Sequence, residues 1–105
     1  MQQVPAIDVT DLAAELAQGA PLVDVRQPDE FEQAHIAGAR LIPLGEVPDR
    51  TAELPTDETV YVVCRSGNRS GRAVEFLRHQ GIDAVNVTGG MIAWADAGNA
   101  VETGG

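Results

Sequence analysis

The chain has no lysine, and all seven of its basic residues are arginine. Without lysine there is no Schiff-base chemistry and no Walker-type phosphate loop. Cysteine is nearly absent: Cys64 stands alone, which excludes a disulfide framework and a Cys-x-x-Cys redox pair. With only His35 and His79 to assist it, no zinc cage is built either. Positive charge is scarce, seven arginines against 16 acidic residues for a formal net charge of -9 over 105 residues. That balance argues against general binding to nucleic acid or to an anionic membrane surface, both of which need spread positive charge. Long apolar runs are missing, so no membrane span is expected, and the first residues carry neither the positive nor the apolar region of a signal peptide. The expectation is a single cytoplasmic domain in a reducing setting, long enough to be stable as a monomer.

What is present is an alternation of short apolar runs with helical stretches. Residues 7–9 predict a brief strand. Thr10 offers an N-cap to a helix with Leu12, Ala13 and Leu16 on one face, ended by Gly19. A strand over 22–25 precedes Pro28, placed as a first helical residue, with Asp29 and Glu30 complementing the dipole. Phe31, Ala34 and His35 share a face of that helix, which Gly38 stops. A strand is expected over 39–42, then a weaker helical piece over 46–54. The run Thr59-Val60-Tyr61-Val62-Val63 is apolar nearly throughout, as expected of a central strand covered on both faces. A loop over 64–69, a helix over 70–80 with Ala73, Val74, Phe76 and Leu77 buried, and a strand over 84–87 follow. Gly89-Gly90 makes a turn, and Met91, Trp94 and Ala95 form a last helical stripe ending at Gly98. This order predicts an α/β fold with a mostly parallel central sheet and helices on both faces. Its core covers approximately residues 7–98, with a short tail over 99–105.

Ligands of open α/β sheets collect beyond the carboxyl ends of strands, and the lone cysteine sits there. Cys64 is followed by Arg65, Ser66, Gly67, Asn68, Arg69 and Ser70, where the helix is expected to begin. A helix N-terminus supplies unpaired N–H groups and partial positive charge. A tight loop of small residues can turn successive N–H groups inward as an anion nest. Arg65 and Arg69 add two full charges. Cysteines in such settings have pKa values of roughly 3.5 to 7.5, so thiolate is the expected resting form. A lone cysteine is more commonly a buried core residue, but polar, arginine-rich neighbours are a poor lining for apolar burial. Neither histidine is expected to act as base. His79 lies nine residues along the helix, about 14 Å from its start, and His35 reads as a packed, hydrogen-bonded residue.

These residues resemble the rhodanese (thiosulfate sulfurtransferase) family, in a single-domain form, over nearly the whole chain. Leu22-Val23-Asp24-Val25-Arg26 with Glu30-Phe31 and 35–39 resembles the family's first signature. The run 64–70 resembles its active-site loop, and Gly89-Gly90 with Trp94 its C-terminal signature. The resemblance implies ping-pong transfer of sulfane sulfur through a Cys64 persulfide. The donor is a small anion such as thiosulfate, and the acceptor is cyanide in assays and a small thiol or protein sulfur acceptor in cells. Arg65, Ser66, Gly67, Asn68, Arg69 and Ser70 would bind the substrate, the two arginines on the sulfonate end. It implies no cofactor and no metal.

Asp24 and Arg26, two apart on a strand end, point the same way and are expected to be ion-pair partners for neighbouring elements rather than catalytic groups. Arg72 and Arg78 flank Glu75 on an exposed helix face, where solvated ion pairs are the usual outcome. One rival is a small-oxyanion enzyme of the cysteine phosphatase or arsenate reductase type. The loops of such enzymes resemble Cys-x5-Arg, whereas here the spacing is Cys-x4-Arg, with Ser70 in the later position. Another rival is a non-catalytic interaction module, against which the retained Cys64 speaks. The terminal Gly104-Gly105 is shared with ubiquitin-like sulfur carriers, whose fold the β/α alternation does not suit.

Overall fold

A computed structural model describes residues 4–104. Five parallel strands form one sheet: β1 (Ala6–Ile7), β2 (Leu22–Asp24), β3 (Arg40–Leu41), β4 (Val60–Val63) and β5 (Ala84–Val87), in the order β1-β5-β4-β2-β3. Between them run the helices α1 (Val9–Ala17), α2 (Pro28–Gln33) and α3 (Asn68–His79); α4 (Gly90–Asp96) follows β5. The expected architecture is the observed one. Among the described residues no helix is long and apolar enough to cross a membrane.

Side chains on β4 alternate between two cores, as strand geometry requires. Val60, Val62 and Cys64 face Ala73, Val74 and Leu77 of α3, while Tyr61 and Val63 face Leu12 of α1 and Met91 and Trp94 of α4. All four β4 residues are buried. From β2 the chain steps outward to β3, then returns across β2 to β4 and continues outward to β5 on the other side. The carboxyl ends of β2 and β4 therefore flank the point where the direction of winding reverses, the crevice position of open α/β sheets.

Several local expectations shift. The first strand is Ala6–Ile7, and Asp8, not Thr10, caps α1: its backbone is extended and its carboxylate accepts the Asp11 N–H at 2.8 Å. Helix α2 stops at Gln33, short of His35. The backbone of His35 is extended to pair with Glu102, N–H to O at 2.8 Å in both directions. Its buried ring stacks on Phe31 with centroids 3.9 Å apart and bonds the Phe31 carbonyl through Nδ1 at 2.8 Å. Residues expected as a tail thus contribute structure: Ala100 accepts from Trp94 Nε1, and Gly104 N–H reaches Glu32 O. Gly105 lies outside the described residues. The piece over 46–54 is two 3-10 segments, Leu44–Asp49 and Thr51–Glu53, because Pro48 has no N–H to donate. Helix α3 begins at Asn68, two residues earlier than expected. Gly67 at φ 106 turns the chain sharply enough for Gly71 N–H to bond its carbonyl at 3.0 Å. Arg78 pairs with Asp83 at 3.0 Å rather than with Glu75.

Candidate active site

The site is built from the loop between β4 and α3. Residue 64 continues the inward-facing parity of β4, so the Cys64 side chain enters the α3 core and is only 1% exposed. At the head of α3 the N–H groups have no partner within the helix, and the sulfur takes that place. Gly67 N–H donates to Sγ at 3.1 Å and the buried Ser70 hydroxyl at 3.3 Å. The N–H groups of Ser66 and Ser70 also face the sulfur. Burial is the largest single influence on the thiol and pushes its pKa up. The Ser70 hydroxyl and the N–H groups of Ser70, Gly67 and Ser66 together outweigh it, and the pKa lies below the ordinary thiol value.

The other face of the loop is held from α4. Met91 N–H donates to the Cys64 carbonyl at 2.8 Å and Ile92 N–H to the Arg65 carbonyl at 3.1 Å. With its carbonyls bonded outward to α4, the loop keeps its N–H groups for the sulfur. Gly90 permits this approach: a Cβ there would lie 2.3 Å from the Cys64 oxygen.

Two residues outside the expected set complete the site. Asn86 shares the inward parity of Ala84 on β5 and pairs in register with Val62. Its amide donates to the Gly67 carbonyl at 3.1 Å, and its oxygen accepts from the Ser70 hydroxyl at 2.5 Å. The single hydroxyl proton of Ser70 is therefore shared between Asn86 and the sulfur. A polar residue within the otherwise apolar 84–87 run was the signal for it. Glu30, in the first turn of α2, takes Arg69 in a bidentate pair at 2.7 and 2.9 Å. These hydrogen bonds, against an opposing effect of burial, hold the Glu30 carboxyl down at about 2.

The remaining expected residues are distributed unevenly. Arg65 and Asn68 are exposed, as is Ser66 apart from its inward N–H, and Arg65 has no ion-pair partner among the described residues. Arg69 is a third exposed and already committed to Glu30. Asp24 and Arg26 pair with each other, Nη2 to Oδ2 at 2.8 Å, and Arg26 reaches on to the Ala34 carbonyl at 2.7 Å. That buried pair joins the end of β2 to the end of α2. His35 is packed and hydrogen-bonded, and His79 is exposed at the last residue of α3.

A family model described as the rhodanese-like domain matches residues 8–97. The chain belongs to the rhodanese-like domain family. Over 98 residues, 90% of this chain and 92% of the relative, it is 42% identical to a protein named sulfurtransferase from Allochromatium vinosum. It is 47% identical over 76 residues, 71% of this chain, to the uncharacterized protein YqhL of Bacillus subtilis, and the match spans 60% of that protein. Its fold superposes on the crystal structure of a rhodanese-like domain protein from Staphylococcus aureus with a TM-score of 0.87 at 39% identity. That superposition covers 96% of this chain and 99% of the other. Within this rhodanese-like fold, a cysteine with a lowered pKa stands at the winding-reversal point of the sheet, in a loop that carries the exposed Arg65 and the Glu30-paired Arg69.

Proposed function

We propose that the protein is a sulfurtransferase in which Cys64 carries the sulfur as a persulfide. The observation that carries this reading is the buried Cys64 sulfur ringed by the Gly67 N–H and the Ser70 hydroxyl. The likeness to the Allochromatium vinosum sulfurtransferase supports it. In the first half-reaction the thiolate attacks the outer sulfur of thiosulfate. A new S–S bond forms to Cys64, the donor's S–S bond breaks, and sulfite leaves with the electron pair. The persulfide anion then occupies the mouth of the loop, where the N–H groups of Ser66, Gly67 and Ser70 stabilise its charge as an oxyanion hole stabilises an oxyanion. In the second half-reaction a nucleophile, cyanide in an assay or a thiol in a cell, attacks the outer sulfur and restores the Cys64 thiolate. Neither half-reaction moves a proton at Cys64 once it is a thiolate, so no histidine base is called for. Arg65 meets the sulfonate end of the donor at the loop's open side. Steady-state formation of thiocyanate from thiosulfate and cyanide tests the reading. Wild-type protein turns over, and Cys64→Ser does not, because a hydroxyl has no comparable acidity. Thiocyanate formation by the serine variant at near wild-type rate would overturn it.

A further inference from the structure

The loop carries two arginines, Arg65 and Arg69, but among the described residues only Arg65 is without an ion-pair partner. Glu30 binds both outer nitrogens of Arg69, and it is not free to swing away. Its Oε1 also accepts the Gln27 N–H at 3.0 Å, the reciprocal contact that caps α2. Arg26, anchored on buried Asp24, holds the backbone of the same turn through the Glu30 carbonyl. An anion arriving at Cys64 therefore meets an Arg69 whose charge is already matched by a carboxylate fixed in place, and of the two loop arginines only Arg65 is left without an opposing charge among the described residues.

Resting on the sulfurtransferase reading, we propose that Glu30 sets the charge of the donor this site accepts: it favours sulfane-sulfur donors with one negative charge, of the thiosulfonate class, over dianions such as thiosulfate. The chemistry is the same for both. Methanethiosulfonate gives up its outer sulfur to the Cys64 thiolate with methanesulfinate as leaving group, as thiosulfate does with sulfite. A methyl group replaces one oxygen, so the two donors match in shape and differ by one unit of charge. Glu30 touches no reacting atom; it acts through Arg69 and through its own field.

The test compares kcat/KM for the two donors with cyanide as acceptor, each rate divided by the donor's reactivity toward a free thiolate in solution. Wild-type protein is expected to prefer methanethiosulfonate. Glu30→Gln keeps an oxygen for the Gln27 N–H while removing the charge. It is expected to raise the thiosulfate-to-methanethiosulfonate ratio roughly fivefold to tenfold, the scale of one unit charge screened by water. Glu30→Gln combined with Arg69→Gln removes both charges and is expected to return the ratio toward wild type. A wild type that prefers thiosulfate, or a Glu30→Gln variant whose two rates change in parallel, overturns the proposal, since damage to the loop would lower both alike. Failure of wild-type protein to take sulfur from either donor would instead overturn the sulfurtransferase reading, and the inference with it.

Discussion

Cys64 is acidic because of where its neighbours' hydrogens point. Burial works against the thiolate, so the Ser70 hydroxyl and the inward N–H groups must more than compensate. Ser70→Ala is therefore expected to raise the thiol pKa while leaving the N–H contacts in place. The pH dependence of alkylation by iodoacetamide measures it: wild type reaches half-maximal rate below the ~8.5 of an ordinary thiol, and Ser70→Ala shifts that midpoint upward. An unmoved midpoint would remove the hydroxyl from the account. At this scale the sequence was most informative about the cysteine and least about its partners. Cys64 is legible because it is the lone cysteine and follows an apolar strand. Asn86 and Glu30 come from β5 and α2, and only the parallel register and the turn of α2 bring them to the loop. The positive charge expected of Arg69 is likewise visible in the sequence, but its neutralisation by a residue 39 positions away is not.

At the scale of elements, the loop's shape depends on α4 as much as on α3. Gly90 at φ 56 packs against the carbonyls of Cys64 and Arg65 while the next two N–H groups bond them. Gly90→Ala is expected to cost about 1–2 kcal/mol from the left-handed backbone alone, with the clash on Cys64 in addition. That lowers Tm by at least about 4–8 °C for a domain of this size, and sulfur transfer falls with it. Calorimetry and the thiocyanate assay check both, and an alanine variant with wild-type Tm would refute the packing argument. The glycine pair was legible as a turn; its contact with a loop 26 residues earlier was not. Element types followed from periodicity, whereas boundaries moved where a specific hydrogen bond won. The Asp8 carboxylate started α1 early, the Gly67 turn started α3 early, and pairing with Glu102 ended α2 before His35.

For the whole molecule, strand-helix alternation was enough to predict a parallel sheet covered on both faces. Strand order is a matter of which edges meet, and no single run of residues records it. That order puts the ends of β2 and β4 side by side, and with them Glu30, Arg69 and Cys64. The packing of 99–104 against α2 and α4 is not legible in the sequence because this short mixed segment carries no apolar period, although hydrogen bonds to backbone groups need none. The most direct test of the account is the intact mass of the protein after treatment with thiosulfate, repeated on Cys64→Ser. A gain of one sulfur atom on wild type alone, lost again when cyanide is added and thiocyanate is released, is the predicted result. No gain on wild type with thiosulfate, methanethiosulfonate or polysulfide, or an equal gain on the serine variant, would contradict a persulfide at Cys64.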